Sequence, residues 1–136
     1  MRAPDGADFH ASVWATAERL IGLRQELARW AARTPLPAER QEDLVLAAYE
    51  AMANSAEHAY PDGGGGPLEV TAHCAEDELS VVVADRGRWK VPDPGETVRG
   101  RGRSMIGVLS DASATEHRDD GTTVVMRFRF APERRR

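Results

Sequence analysis

Between Tyr60 and Pro67 the chain reads Pro61-Asp62-Gly63-Gly64-Gly65-Gly66. Neither a helix nor a central strand runs through such a stretch, because proline withdraws an amide donor and glycine carries a high conformational entropy. A flexible corner is therefore expected here, and it divides the sequence. Most of the chain before it has a helical period, and most of the chain after it alternates at period two.

Upstream of the corner, Gln41 to Tyr60 reads as one helix. Leu44, Val45, Ala48, Ala51 and Met52 give it an apolar side, while Glu50, Asn54 and His58 recur every four residues and so share another face. Taken alone, such a polar stripe is an ordinary solvated helix face. Before it, Val13, Ala17, Leu20, Leu27 and Ala31 recur at helical spacing, which predicts an amphipathic helix from there to about Arg33 with Trp14 and Trp30 beside the stripe. Asp8 to Ser12 is a short strand candidate, and Thr34 to Pro37, with two prolines, separates the helices.

Downstream, Leu68, Val70 and Ala72 alternate with Glu69, Thr71 and His73. With the polar turn Ala75 to Glu78 and the buried run Leu79 to Ala84, they predict an antiparallel hairpin. Lys90 to Val98 is a loop. Met105, Ile106, Val108 and Leu109 form a short helix ending near Asp111, and Ala112 to His117 pairs with Thr122 to Phe130 across the turn Arg118 to Gly121. In that last strand Val124, Met126, Phe128 and Phe130 share one face. Helices segregated from a mixed, mainly antiparallel sheet make an α+β two-layer sandwich. One domain of 136 residues is expected, with its core from about residue 8 to 130, either complete or as a module of a longer regulator.

Composition narrows the function. With 18 Lys plus Arg against 22 Asp plus Glu and a net charge of −4, nucleic acid is not the expected partner. Basic residues concentrate only at Arg99, Arg101 and Arg103 and at the terminal Arg134 to Arg136. No apolar run approaches the roughly 18 residues needed to span a bilayer, and the N-terminus lacks a signal pattern, so a cytoplasmic protein is expected. The single Cys74 excludes an intramolecular disulfide and reads as a small core residue.

Two further features suit ligands. Asp85 ends a strand and is followed by Gly87, so a carboxylate stands at a sheet rim beside backbone that a ligand can approach. Gly100 and Gly102, interleaved with Arg101 and Arg103, offer exposed amides and cationic side chains to an anion. The bland readings are an Asp-Gly turn and a solvated basic loop.

Taken together, these features resemble the ATP-binding boxes of the superfamily that includes gyrase, the ninety-kilodalton heat-shock chaperone, histidine kinases and mismatch-repair ATPases. The closer resemblance is to the bacterial anti-sigma factor serine-protein kinases, over about Asp8 to Phe130. The run Glu50-Ala-Met-Ala-Asn54-Ser-Ala-Glu-His58 resembles the family's N box, and Asp85 with Gly87 the start of its first glycine box. Gly100 and Gly102, followed by an apolar helix and Asp111, resemble the second glycine box, and Gly121-Thr122-Thr123-Val124 the closing turn and strand. Any one box is weak; four in this order carry the resemblance.

The resemblance implies the Bergerat ATP-binding fold and a protein-serine/threonine kinase that uses ATP and Mg²⁺. Such a kinase phosphorylates an anti-anti-sigma partner and sequesters an RNA polymerase sigma factor, commonly as a homodimer. It implies Glu50 as catalytic base, Asn54 as the Mg²⁺ ligand and Asp85 as acceptor for the adenine amino group. It further implies Gly87 as the approach to the base, Gly100, Arg101, Gly102 and Arg103 around the phosphates, and Thr123 in the network beside Asp85. These roles fit phosphoryl transfer, which is mostly positioning and charge neutralisation. His58 is expected to cap or pack near the helix end.

The sequence departs from the pattern at Trp89, where the family places a second glycine. An indole there would pack on the lid or narrow the nucleotide pocket, and the short segment between the glycine boxes implies a small lid. Two alternatives remain open: a non-catalytic module that sequesters a sigma factor, and the catalytic domain of a histidine kinase.

Overall fold

The computed structural model describes residues 8–89 and 105–131. Strand β1 (Phe9–Trp14) opens the chain and is followed by α1 (Ala17–Ala31). The predicted helix start at Val13 is therefore four residues early. Thr16 has extended backbone and its side chain accepts from the Arg19 amide at 3.4 Å, which caps α1 and leaves Val13 and Trp14 to the strand. The second helix, α2 (Ala38–Ala59), begins earlier than the expected Gln41, because Pro37 sits at its N-cap.

Past the corner come β2 (Pro67–Cys74), β3 (Glu78–Asp85), the short α3 (Met105–Leu109), β4 (Ala112–Arg118) and β5 (Gly121–Arg129). The five strands form one sheet in the order β1-β2-β3-β5-β4, and every described ladder is antiparallel. The corner itself is fastened to the end of β1. The Trp14 indole N–H donates to the Gly64 carbonyl at 2.7 Å, and the Ala15 amide donates to Gly66 at 2.8 Å.

Helices α1 and α2 pack on each other, and α2 lies on β3 and β5. Period two decides which strand residues they meet. Leu68, Val70, Ala72 and Cys74 of β2, Leu79, Val81 and Val83 of β3, and Val124, Met126 and Phe128 of β5 are buried on this face. Leu20, Leu23, Leu27 and Trp30 from α1, with Leu44, Ala48, Ala51 and Met52 from α2, complete one core. Trp30 is thus a core residue, whereas Trp14 is half exposed at 50%.

At its far end α2 is tied down by Arg40, whose guanidinium donates to Asp43 at 2.6 Å, to the Leu109 carbonyl at 3.0 Å and to Asp111 at 2.8 Å. It also lies 5.5 Å from the centre of the Phe128 ring. Strand β4 is exposed along nearly its whole length. Among the described residues no helix is long and apolar enough to cross a membrane.

Candidate functional site

The alternation that buries Leu79, Val81 and Val83 carries one step further to Asp85, which is 5% exposed at the end of β3. A carboxylate so placed needs partners, since a buried charge without hydrogen bonds is costly. Its Oδ1 accepts from the backbone amides of Gly87 and Thr122, each at 3.1 Å, and its Oδ2 accepts from the Trp89 indole N–H at 2.8 Å. The first two bonds fix the carboxylate through the main chain. The third comes from a side chain.

Two close approaches set the geometry around it. A Cβ added to Gly87 would stand 2.3 Å from the Ala59 carbonyl oxygen, so the turn after β3 is pressed against the last residue of α2. A Cβ on Gly121 would meet the Asp85 carbonyl at 2.0 Å, and Gly121 has φ +149°. Both positions are therefore closed to side chains, and together they bring the end of α2, the end of β3 and the start of β5 to one place.

Tyr60 completes the junction. Its hydroxyl donates to the Pro67 carbonyl at 2.6 Å and accepts from the Arg86 amide at 2.9 Å. Burial pushes the phenol's pKa up, and the Asp85 carboxylate adds to this; the Arg86 amide bond and the Arg86 charge act the other way.

Trp89 contacts two imidazoles. His58 from α2 has its ring centre 5.0 Å from the indole, tilted 36°, and His117 from β4 lies 5.2 Å away, tilted 57°. His117 is in turn hydrogen-bonded through Nδ1 to the Thr122 hydroxyl at 2.9 Å. An open concavity of about 470 Å³ lies alongside, lined by Arg88, Trp89, His117, Arg118, Asp119 and Thr122.

Glu50 and Asn54 lie on α2, half buried, with no side-chain hydrogen bond or ion pair to another described residue. His58, on the same stripe, is exposed and stacks on Trp89, in keeping with packing near the helix end. The structure thus gathers Asp85, Gly87 and His58 at one end of α2. Gly100, Arg101, Gly102 and Arg103 lie outside the described residues.

Thr123 is not the residue beside the Asp85 carboxylate. Its Cα partner is Ala84 and it faces the other side of the sheet, whereas the buried Thr122 supplies both the amide bond to Asp85 and the hydroxyl bond to His117. Parity was the available signal. Thr122 shares its face with Val124, Met126 and Phe128, so the same alternation assigns it to the interior.

The donor set bears on what the site can hold. A buried carboxylate that satisfies an indole N–H suits a flat heterocycle with an N–H donor, which is how an adenine amino group would bind. No three His, Cys, Asp or Glu among the described residues gather as a metal site. Asn54, half buried on α2, carries a neutral amide oxygen, a hard donor of the type that Mg²⁺ accepts beside phosphate and water oxygens.

Comparison with known proteins agrees with this architecture. The family described as the histidine kinase-like ATPase domain matches residues 13–128. The serine-protein kinase RsbW of Listeria innocua is 32% identical over 118 residues, covering 76% of this chain and 74% of that protein. The serine-protein kinase RsbW of Bacillus subtilis is 35% identical over 65 residues, covering 48% of this chain and 41% of that protein. Among solved structures, that of the RsbU and RsbW domains of Rv1364c from Mycobacterium tuberculosis superposes with a TM-score of 0.73 at 24% identity. It covers 92% of this chain and 32% of that one, and at this identity it supports the fold alone.

Proposed function

Since this chain belongs to the histidine kinase-like ATPase domain family, we propose that it is an anti-sigma regulatory protein-serine/threonine kinase. In this reading it phosphorylates an anti-anti-sigma partner in the cytoplasm and holds an RNA polymerase sigma factor. The observation that carries the reading is the buried Asp85 carboxylate, fixed by two main-chain amides and packed through Gly87 against the helix that bears Glu50 and Asn54.

ATP, when bound, supplies the phosphoryl group. Asp85 accepts the adenine amino hydrogen; Gly87, expected to leave the backbone open to the base, instead uses its missing side chain to pack against Ala59, and its amide holds the carboxylate in place. Asn54 offers its amide oxygen to Mg²⁺, a hard cation that prefers oxygen ligands. Gly100 and Gly102 contribute amides and Arg101 and Arg103 contribute charge to the phosphates. Glu50, one helical turn from Asn54, accepts the proton of the partner's serine hydroxyl and so raises the oxygen's nucleophilicity.

The test is phosphate transfer from labelled ATP to an anti-anti-sigma protein encoded beside this chain. Glu50→Gln keeps the size of the side chain and removes the base, so transfer is expected to fall about 10²- to 10⁴-fold while ATP affinity stays within a factor of two or so. Unchanged transfer in that variant would remove Glu50 from the base role. The bond from Trp89 to Asp85 favours a second reading, in which the domain sequesters a sigma factor without turning nucleotide over. Calorimetry showing no ATP binding under any condition would select it.

A further inference from the structure

We propose that Trp89 is an internal competitor for the base-binding carboxylate, so that the nucleotide site of this chain is closed on itself until the indole leaves. The proposal rests on the reading of Asp85 as the adenine anchor. It adds what the chain itself does at that anchor.

The two oxygens of Asp85 differ in what they are free to do. Oδ1 is committed to the main chain, accepting from both Gly87 and Thr122. Oδ2 is the atom left for a ligand, and it is the one that Trp89 Nε1 occupies at 2.8 Å. The occupant has the right chemistry for the place: indole is a flat bicycle with an N–H at its edge, as adenine is a flat bicycle with an amino group at its edge. It is also packed against two aromatic rings, as a base often is, with the tilted imidazoles of His58 at 5.0 Å and His117 at 5.2 Å.

A carboxylate oxygen has a second lone pair, so the hydrogen bond alone would not exclude a base. Volume does. The indole packs against imidazoles from both α2 and β4, and the concavity that opens here is lined by Trp89 and not by Asp85, which stays 5% exposed. A base arriving from that side meets the indole before the carboxylate. Entry therefore requires Trp89 to give up its bond to Asp85 and its contacts with both histidines, and apparent affinity falls by the fraction of molecules in which it has done so. With a minor state populated at the usual 0.1–10%, the reduction is about 10- to 1000-fold.

The experiment measures binding, not turnover, by calorimetry with ATP and Mg²⁺ on the wild-type chain, Trp89→Gly and Trp89→Phe. The indole N–H resonance of Trp89, assigned by its loss in Trp89→Phe, is followed in parallel. Trp89→Gly is expected to bind ATP at least about tenfold more tightly than wild type. Trp89→Phe, which keeps a ring but loses the donor, is expected between them and serves alone if the glycine variant unfolds. In wild type the Trp89 resonance should shift on saturation with ATP and its exchange with water should quicken.

Equal or weaker ATP binding by the variants, with the wild-type resonance unmoved at saturation, overturns the proposal and leaves the nucleotide reading standing. Absence of ATP binding in all three proteins overturns both.

Discussion

Individual polar residues in this molecule differ mainly in whether their hydrogen bonds close. Asp85 is buried and has three donors, which accounts for a charge inside a core of this size. Ser55, on the core face of α2, is the contrasting case: it is 0% exposed and its Oγ has no hydrogen-bond partner among the described residues. An unmade buried hydroxyl bond is a net cost. Ser55→Ala should therefore raise stability by about 1 kcal/mol in urea denaturation, with no loss of binding capacity. The pair Thr122 and Thr123 makes a related point about chemistry. Two identical neighbours take different roles because alternate strand positions face opposite sides of the sheet.

At the level of elements, the site depends on how closely backbones approach. The start of β5 touches the end of β3 through Gly121, where a methyl group would overlap the Asp85 carbonyl at 2.0 Å and the backbone is at φ +149°. Gly121→Ala must therefore push the strands apart or bend the turn, at a cost of about 1–3 kcal/mol or more. The shift would show in the urea midpoint. Because the same movement draws the Thr122 amide away from Asp85, ATP affinity should fall with it. A variant that lost neither stability nor affinity would show that this junction is looser than its contacts indicate. The element boundaries obey similar local physics: the Thr16 cap sets the start of α1, and Pro37 sets that of α2.

Across the whole molecule, Tyr60 joins parts that are far apart in sequence. It stands just past α2 and bonds to Pro67 at the start of β2 and to Arg86 just past β3. Its pKa is raised by burial, with Asp85 adding to the effect, so the folded state holds the phenol proton more tightly than the unfolded chain does. The contribution to stability is fully present below the ordinary tyrosine value of about 10 and is lost as pH rises through the higher folded value. Stability should decline on going from pH 8 to above 10, and Tyr60→Phe should flatten that part of the decline while lowering stability at pH 8 by about 1 kcal/mol for the lost hydrogen bonds. Urea midpoints of both proteins at the two pH values check this, and parallel curves would rule it out.

The sequence by itself determined the order and kind of the elements, because hydrophobic period and breakers are local properties: the Pro61–Gly66 corner, the apolar stripe of α2 and the alternation of β2, β3 and β5 are all written in neighbouring residues. It also determined that Glu50, Asn54 and His58 share a helix face and that Asp85 ends a strand. Tertiary structure decided the rest. That Thr122 and not Thr123 bonds to Asp85 depends on which side of the sheet the helices cover, although parity came close to giving it. The bond from Trp89 to Asp85 spans four residues of irregular turn, and the histidines that touch the indole come from α2 and β4. No period relates residues 58, 85, 89 and 117. Only the packing of the helix layer against the sheet brings them together, and it leaves the strand-end carboxylate engaged by its own chain.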